Sequence, residues 1–460
     1  MPESSYDCIV IGSGPGGYVA AIRAAQLGMK TAVVEKDKVG GRCLNYACIP
    51  AKGMLRVADV YTEVSHAGDF GVKVDGASVD YKGACKHRDK VVKTLTGGVA
   101  MLLKKNKVDV IEGHASLTDD ANVKIGGSFD GTEIQAGKVV IATGSVAKPL
   151  LDLQFGGRVL DTAATWLLGE QPKRLAVIGA GASGTEVASA FGRLGTEVVL
   201  LEALAQILPL EDKDIARTCA REVAKQNVEI VTGASIEGAE AGDKGVQITW
   251  GGETREFDYL CIAAGRGPDF EGLGLEDAGV KTDDRGLVDV DGALRTSRDG
   301  VYAIGDIVPG PALAHKASEE GVIAVEDAAG MDTHALDHAA IPAATFCYPQ
   351  VASFGLTEAA AKEAGHDVVV GKVPLGAVGA PTVYGDRGGM IKIVGDRKYG
   401  ELLGGHIVSA KAADLIQELV VARELEGGFP EIARSIHAHP TFSEAVLEAA
   451  RAADGWLIHG

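Results

Sequence analysis

The sequence of 460 residues predicts an α/β fold made of two similar βαβ domains and a C-terminal α+β domain. Three observations lead to this prediction. The length is enough for about three domains with buried cores. A buried strand, a glycine-rich turn and a helix occur twice, at positions 12 and 179, an offset of 167 residues. After about residue 339, strands at residues 391–394 and 402–407 alternate with an amphipathic helix at residues 412–424.

The first βαβ unit lies near the N-terminus. Residues 6–11 are predicted to form a buried strand, and Gly12, Gly14 and Gly17 follow it at the start of an alanine-rich helix. A second apolar strand then ends on Glu35. Glycines at this spacing allow a tight turn and let the backbone approach a pyrophosphate. The helix N-terminus offers free N–H groups, and the carboxylate accepts hydrogen bonds from a ribose.

The same order of residues returns in the second unit. A strand at residues 175–178 precedes Gly179, Gly181 and Gly184, and the next strand ends on Glu202. A single glycine motif is weak evidence because glycine turns are common. Two copies in full strand–turn–helix–strand–acid order predict two Rossmann-like dinucleotide-binding domains. No Arg or Lys follows Glu202 closely enough to bind a 2′-phosphate, so the second site is expected to prefer NAD over NADP.

Two dinucleotide sites in one chain favour a flavin that exchanges electrons with a nicotinamide. Charge and hydropathy narrow the setting further. Asp and Glu outnumber Lys and Arg by 63 to 45, which argues against nonspecific nucleic-acid binding. No apolar run approaches the roughly 20 residues of a membrane span, and the polar N-terminus lacks the order of a signal peptide. A cytoplasmic protein without membrane contact is therefore expected.

Cys43 and Cys48 form the one close pair among the seven cysteines. Residues five apart on a regular helix rise about 7.5 Å, too far for a disulfide, so a bridge needs an irregular turn. Pro50 and the preceding glycines favour such a distortion. Lys52 would lie one helical turn after Cys48 and favour a thiolate. In a reducing compartment the pair indicates redox chemistry, although two buried free cysteines would show the same spacing.

A histidine near the C-terminus is a candidate base. His439 precedes a proline, which disfavours helix at that position, and Glu444 stands five residues later, where a turn could bring it back. A carboxylate against one ring nitrogen fixes the tautomer and raises the basicity of the other nitrogen. His334 and His338 have the spacing of metal ligands on a helix, but no third ligand adjoins them, so no metal site is predicted.

Residues 40–52, GGRCLNYACIPAK, resemble the redox-active segment GGTCLNxGCIPSK of the flavoprotein disulfide reductases. Resemblance to that family extends over nearly the whole chain. Thr143 and Gly144 match an Ala-Thr-Gly crossing between FAD and NAD domains, and residues 296–306 are similar to the second FAD motif. Residues 439–444 resemble the HPTxSE motif, whose His–Pro bond is typically cis.

The resemblance implies a homodimeric, FAD-dependent disulfide oxidoreductase that uses NAD. Within the family, the chain is most similar to members that oxidise dihydrolipoamide. The implied partner is thus a lipoyl-bearing protein of a 2-oxo-acid dehydrogenase or glycine-cleavage complex. Cys43 and Cys48 would form the redox disulfide, and His439, oriented by Glu444, would serve the cysteines of the opposite subunit.

The resemblance also implies two sets of cofactor contacts and four segments. The FAD contacts are Gly12, Gly14, Gly17, Glu35, Lys36, Gly41, Arg42, Lys52, Ala115, Thr143, Gly144, Gly305, Asp306, Leu313, Ala314 and His315. The NAD contacts are Gly179, Gly181, Gly184, Glu186, Glu202 and Gly265, with Glu186 pairing Lys52 beside the flavin. The expected segments are 1–146 and 268–338 for FAD, 147–267 for NAD and 339–460 for dimerisation.

The chain departs from the family pattern at several positions without losing a reacting group. Arg42 replaces Thr, Ala47 replaces Gly and Ala51 replaces Ser, while Ala182 and Ser183 stand where Tyr-Ile is common. Arg42 either adds a cation that lowers a thiol pKa or is a solvated side chain.

Other functions of the family are disfavoured by particular residues. Glutathione-type reductases would need arginines that bind the NADP phosphate, and mercuric reductases would need a C-terminal thiol pair beyond Cys347. Soluble transhydrogenases lack the redox cysteines. An alternative of another class is a docking subunit that merely retains its flavin, and the intact set of Cys43, Cys48, His439 and Glu444 argues against it.

Overall fold

The computed structural model describes residues 3–118, 122–127, 131–150 and 153–460, and its fold is mixed α/β, as predicted. The strands among them are β1 (Ser5–Ile11), β2 (Thr31–Glu35), β3 (Asp109–Glu112), β4 (His114–Leu117), β5 (Val123–Gly126), β6 (Thr132–Ile141), β7 (Ser145–Ala147), β8 (Val159–Asp161), β9 (Arg174–Ile178), β10 (Glu197–Glu202), β11 (Val228–Thr232), β12 (Ile236–Ala241), β13 (Val246–Trp250), β14 (Glu253–Phe257), β15 (Tyr259–Ile262), β16 (Arg266–Pro268), β17 (Val301–Ala303), β18 (Ala343–Thr345), β19 (Gln350–Gly355), β20 (Val368–Pro374), β21 (Met390–Asp396) and β22 (Leu402–Ser409). The helices are α1 (Pro15–Gln26), α2 (Gly41–Asn45), α3 (Cys48–Ser65), α4 (Tyr81–Lys105), α5 (Thr162–Trp166), α6 (Ala182–Arg193), α7 (Lys213–Val223), α8 (Ala314–Ala328), α9 (Glu358–Glu363), α10 (Gly379–Val383), α11 (Ala412–Glu424), α12 (Phe429–Arg434) and α13 (Glu444–Ala453).

The chain divides into two compact units, each made of discontinuous segments. The first consists of Met1–Gly53, Cys85–Lys148 and Gly265–His338. The second consists of Met54–Ala84, Pro149–Ala264 and Ala339–Gly460. Within the described segments, no helix combines the length and the hydropathy needed to cross a membrane.

The first unit is centred on a sheet with strand order β3-β2-β1-β6-β5-β4, and β17 also pairs with β6. Strand β1 contains the predicted residues 6–11 and lies parallel to both β2 and β6. Helices α1 and α8 cross closely because two glycines remove side chains from the crossing. A Cβ at Gly16 would lie 2.8 Å from the Ala317 carbonyl oxygen, and one at Gly321 would lie 2.7 Å from the Gly16 oxygen.

The second unit contains a parallel sheet and an antiparallel sheet of five strands each. The parallel sheet has the order β11-β10-β9-β15-β8, and its β9 and β10 include the strands predicted around the second glycine turn. The antiparallel sheet has the order β18-β19-β22-β21-β20 and packs against α11 and α13. Helix α11 begins and ends at the predicted residues. This packing of helices on an antiparallel sheet confirms the α+β prediction for the C-terminal part.

A polar cluster in the second unit joins the start of α7 to the antiparallel sheet. Glu211 Oε1 accepts a hydrogen bond from Ser353 Oγ at 3.0 Å, whereas Glu211 Oε2 is buried with no hydrogen-bond partner in the described part of the chain. Burial raises the Glu211 pKa to about 7. Next to it, Lys392 Nζ contacts both carboxylate oxygens of Asp212 at 2.8 Å.

Glu211 should make folding stability depend on pH. The folded protein holds the Glu211 proton up to about pH 7, whereas the unfolded chain releases it near the ordinary value of 4.5. Stability is therefore lost as pH rises from about 4.5 to 7 and levels off above that. We expect Glu211→Gln to remove this dependence and to raise the free energy of unfolding at pH 8 by on the order of 2 kcal/mol. Urea unfolding at pH 5 and pH 8 measures the free energy of unfolding and its dependence on pH. The control is Glu363→Gln, which changes an exposed glutamate of the same unit. Parallel pH profiles for wild type and Glu211→Gln would contradict this expectation.

Candidate active site

The first glycine turn connects β1 to α1. Gly12 has a φ of +98°, and a Cβ there would lie 2.4 Å from the Ala142 carbonyl oxygen. A Cβ at Gly17 would lie 2.0 Å from the Gly12 oxygen, so both positions exclude side chains. Gly14 is the N-cap of α1 and differs, because a Cβ there would meet nothing within 4 Å. The free space beside the helix N-terminus is where a pyrophosphate would approach the backbone.

The second turn, between β9 and α6, has nearly the same geometry. Gly179 has a φ of +97°, and a Cβ at Gly184 would lie 1.9 Å from the Gly179 oxygen. Gly181 is the N-cap of α6, and a Cβ there would again meet nothing within 4 Å. The two glycine motifs predicted from the sequence therefore build two equivalent helix N-termini.

Each turn is held by the acidic residue at the end of the following strand. Glu35 accepts hydrogen bonds from the amides of Ser13 at 2.8 Å and Asp37 at 2.9 Å. Glu202 accepts from the amides of Ala180 at 2.7 Å and Leu204 at 2.9 Å. Both acids were predicted to bind ribose hydroxyls, and the amide contacts, which were not predicted, fix each carboxylate beside its glycine turn.

The residues of the first unit fit FAD. Thr143 Oγ1 is buried and has no hydrogen-bond partner in the residues described, so it is available to a ligand. Asp306 accepts a hydrogen bond from Ser145 Oγ, which in turn accepts one from Arg266 Nε at 2.9 Å. Ser145 and Arg266 were not predicted to support Asp306, because they are distant from it in sequence.

A buried ion pair forms hydrogen bonds with the backbone of the turn that contains Gly305. Lys316 Nζ donates to the Gly305 carbonyl oxygen at 3.0 Å, and Glu320 accepts from the Gly305 amide at 2.7 Å. Lys316 and Glu320 also pair with each other at 2.9 Å. The backbone at Gly305 is therefore fixed through both its donor and its acceptor.

The other predicted FAD contacts also lie in the first unit. Lys36 Nζ pairs with Asp269 at 2.7 Å, and Ala115 lies on β4. Gly144 has a φ of +74°. Leu313 is the N-cap of α8, and Ala314 and His315 are the first residues of that helix.

Gly265, His334 and His338 were also singled out from the sequence. Gly265, predicted to contact NAD, falls in the first unit, whereas the rest of the predicted NAD set falls in the second. His334 lies in a loop after α8 and His338 at the start of a short 3-10 turn, so they do not share a helix face. The rigid spacing on which a pair of helical ligands depends is absent there.

The predicted irregular turn between the two cysteines is present. Cys43 lies in α2, and Cys48 is the first residue of α3, with Tyr46 and Ala47 outside both helices. The break brings the two thiols within hydrogen-bond distance of each other. Lys52 lies in the first turns of α3, as predicted. Because the amides of Tyr46 and Ala47 still bond to the Arg42 carbonyl oxygen, the break is a defined turn rather than a gap in structure.

The redox segment packs directly on the first glycine turn. A Cβ at Gly41 would lie 2.6 Å from the Gly14 Cα atom, and Gly41 has a φ of +58°. The Gly40 amide also donates to Ser13 Oγ at 3.2 Å. The helix that bears Cys43 therefore begins in contact with the proposed pyrophosphate turn.

Neighbouring groups and burial together determine the pKa of Cys43. The hydrogen bond with Cys48 is the largest influence on Cys43, and burial adds to it, so that the Cys43 pKa is raised. Lys52 lowers the Cys43 pKa, but its effect is smaller. The thiolate that Lys52 is expected to favour at Cys48 stays a prediction.

His439 and Glu444 are in contact, as predicted. His439 Nδ1 lies 2.8 Å from Glu444 Oε1, and the other oxygen of Glu444 accepts from the Thr441 amide at 2.8 Å. Burial opposes ionisation of Glu444, but the bonds from Thr441 and His439 outweigh it, and its pKa is lowered. The His439–Pro440 peptide is cis. The His439 side chain is 77% exposed, which leaves its second nitrogen open to a reactant.

Three further contacts were not predicted from the sequence. His437 Nε2 lies 2.6 Å from Glu418, a bond that raises the His437 pKa. Cys219 and Cys347 place their Sγ atoms 3.7 Å apart in the second unit. Glu186 lies on α6 and accepts from the Phe346 amide at 2.8 Å. No local sequence signal marks these contacts, because the partners are remote in sequence or lack a motif.

Two family models together match most of the chain. Residues 6–321 match the model of the pyridine nucleotide-disulphide oxidoreductases, and residues 341–450 match the dimerisation domain of the same family. A dihydrolipoyl dehydrogenase of Bacillus subtilis is 43% identical over 460 residues, covering 98% of this chain and 97% of that protein. One from Geobacillus stearothermophilus is 42% identical over 457 residues, with the same coverage.

Solved structures show the same architecture. LpdA from Mycobacterium tuberculosis superimposes with a TM-score of 0.90 at 27% identity, covering 96% of this chain and 99% of that one. A HOCl-induced flavoprotein disulfide reductase, RclA from Escherichia coli, gives 0.88 at 27% identity in its Cu(II) complex, covering 97% and 99%. The dimerisation domain indicates a homodimer. The chain belongs to the pyridine nucleotide-disulphide oxidoreductase family.

Proposed function

We propose that this protein oxidises a protein-bound dihydrolipoyl group to the lipoyl disulfide and reduces NAD⁺, with FAD bound beside Cys43 and Cys48. The proposal rests on the contact between Gly41 and Gly14, because this contact places the segment that contains both cysteines against a glycine turn suited to a dinucleotide. The names of the relatives point to the same substrate. When bound, FAD carries an electron pair from the thiols to NAD⁺, which leaves as NADH.

The proposed reaction begins with a proton transfer to His439. The open nitrogen of His439 takes a proton from the substrate dithiol, while Glu444 holds the other nitrogen and stabilises the charged ring. The substrate thiolate attacks the Cys43 sulfur of the oxidised pair, and Cys48 leaves as a thiolate. The second substrate thiol then displaces Cys43, which releases the cyclic disulfide product and leaves both enzyme cysteines reduced.

We propose that His439 acts on the cysteines of the partner subunit. His439 is exposed, and Ile436, three residues before it, is fully exposed. Tyr384, whose ring lies 5.7 Å from that of Phe442 three residues after His439, is largely exposed. Apolar side chains so exposed next to a base are better explained by a second copy that covers them than by a solvated surface. The site would then exist only in the dimer.

We also propose cofactor segments. Residues 1–146 and 268–338 would hold FAD through the first glycine turn, Thr143 and Asp306. Residues 147–267 would hold NAD through the second turn, and residues 339–460 would form the dimer interface. The lipoyl-bearing partner of a 2-oxo-acid dehydrogenase or glycine-cleavage complex and the cytoplasmic location stay predictions.

Nicotinamide choice follows from Glu202. Its carboxylate would repel a 2′-phosphate, so kcat/KM for NAD should exceed that for NADP by roughly 5- to 150-fold, about 1–3 kcal/mol. Glu202→Gln should lower the ratio of kcat/KM for NAD to kcat/KM for NADP. Glu197→Gln, which changes an exposed residue at the other end of β10, should leave this ratio unchanged. Equal efficiencies for NAD and NADP in the wild-type enzyme would show that Glu202 does not select the ribose.

A direct assay tests the proposed function. Purified protein should contain about one FAD per chain and should reduce NAD⁺ with dihydrolipoamide faster than with glutathione or other thiols. Release of FMN or the absence of flavin would contradict the cofactor assignment. Rapid NADH oxidation by acceptors without dithiol turnover would favour the docking-subunit alternative.

A further inference from the structure

We propose that Cys219 and Cys347 form a second redox pair, which a hydroperoxide closes to a disulfide that ties α7 to the segment before β19. Their Sγ atoms lie 3.7 Å apart although 128 residues separate the two positions in the chain. Cys219 on α7 is fully buried, and Cys347 is 1% exposed. Closing the bond needs the sulfurs to approach to about 2.05 Å, a side-chain movement of less than 2 Å.

The surroundings of Cys219 and Cys347 slow the oxidation of both thiols while the second unit is folded. The hydrogen bond with Cys219, and then burial, raise the Cys347 pKa well above its ordinary value. Cys347 Sγ also donates to the Pro349 carbonyl oxygen at 3.2 Å. Buried thiols are shielded from oxidants in solution and react slowly, so oxidation depends on local opening of the second unit. This separates the pair from Cys43 and Cys48, which are partly exposed.

The disulfide would fix a segment that contacts the proposed NAD helix. The Phe346 amide donates to Glu186 at 2.8 Å, and the Tyr348 amide donates to Ser189 Oγ at 3.0 Å. Both acceptors lie on α6, which begins at the second glycine turn. A Cys219–Cys347 bond would therefore clamp α7 to the segment that positions Glu186. The bond stabilises the oxidised protein mainly because it closes a long loop in the unfolded chain.

The chemistry balances with the hydroperoxide as oxidant. One thiol attacks the terminal peroxide oxygen, which gives a sulfenic acid and releases the alcohol, or water when the oxidant is hydrogen peroxide. The neighbouring thiol then displaces the sulfenic oxygen as water, and the S–S bond forms. Two thiols lose two electrons and two protons in total, and the peroxide O–O bond is broken. The second thiol in contact traps the sulfenic acid before further oxidation.

Peptide mapping of the FAD-loaded dimer tests the bond. The protein is exposed to hydrogen peroxide for increasing times, denatured with an alkylating agent and digested without reduction. Mass spectrometry should find a linked pair of peptides containing Cys219 and Cys347, and the yield should rise with exposure. Cys261→Ala, which removes another fully buried thiol of the same unit, should leave the yield unchanged. Recovery of both cysteines as alkylated thiols or as separate sulfinic acids at the longest exposure would overturn the proposal.

Thermal unfolding tests the clamp independently. Oxidation should raise the Tm of the wild-type protein by roughly 3 °C or more, and it should raise the Tm of Cys219→Ala and Cys347→Ala by much less. An equal rise in Tm on oxidation of these variants would show that the stabilisation comes from Cys43 and Cys48, and it would contradict the proposed Cys219–Cys347 bond. Neither measurement depends on dithiol turnover, so both remain informative even where the proposed function fails.

Discussion

Cys48→Ser should reduce dihydrolipoamide oxidation by at least about four orders of magnitude, because serine cannot form or release a disulfide. The variant should keep its FAD, since Cys48 lies after the glycine contact that joins the segment to the first turn. It should also still reduce artificial acceptors with NADH, a reaction that needs the two cofactors but no thiol. Steady-state assays with both electron acceptors and the flavin absorbance measure these outcomes.

Cys85→Ala is the matched control for this variant. Cys85 is a buried cysteine on α4 in the same unit, and the proposed mechanism gives it no role. The control should retain dithiol turnover within a few-fold of the wild-type rate. Substantial dithiol turnover by Cys48→Ser would remove the thiol pair from the mechanism, whereas loss of FAD would show that Cys48 is needed for folding instead.

His439→Gln should reduce dithiol oxidation by about two to four orders of magnitude, the usual contribution of a general base. Glutamine can still hydrogen-bond Glu444, so the local structure should persist, but it cannot accept the substrate proton. NADH oxidation by artificial acceptors should be unchanged. His437→Gln is the control, because His437 is a buried histidine two residues away that bonds Glu418.

Mixing His439→Gln with Cys48→Ser tests whether the site is shared between subunits. A mixed dimer combines intact cysteines from one chain with an intact His439 from the other, so one of its two sites is complete. With random exchange about half of the dimers are mixed, and about a quarter of the wild-type activity should return. No recovery after exchange has been verified by mass would mean that His439 acts within its own chain or not at all.

The local sequence pattern was sufficient to predict much of the fold and the residues at the centre of the site. Strands β1 and β10 and helix α11 were predicted because hydrophobic periodicity and glycine turns are properties of adjacent residues. The break between Cys43 and Cys48 was predicted because a regular helix cannot bring residues five apart together. His439 and Glu444 were predicted to meet for a similar reason, since a short turn is all that joins them.

Contacts between remote residues were not predictable in this way. The Ser145–Arg266 support of Asp306 and the Cys219–Cys347 contact join positions more than a hundred residues apart in the chain. The rise in the Cys43 pKa was likewise not predictable, because it depends on the contact with Cys48 and on burial, neither of which spacing determines.

The near-identity of the two glycine turns has a consequence for specificity engineering. In each turn, one glutamate accepts hydrogen bonds from two amides, that of the residue after the first glycine and that of the second residue after the glutamate itself. The corresponding N···O distances of the Glu35 and Glu202 turns differ by at most 0.1 Å. A module so closely duplicated cannot itself distinguish a flavin from a nicotinamide. Discrimination would have to come from neighbouring residues, such as Gly41, which packs on Gly14 of the first turn only. Transplanting either turn should therefore carry affinity for a pyrophosphate, while ligand identity stays with the host scaffold.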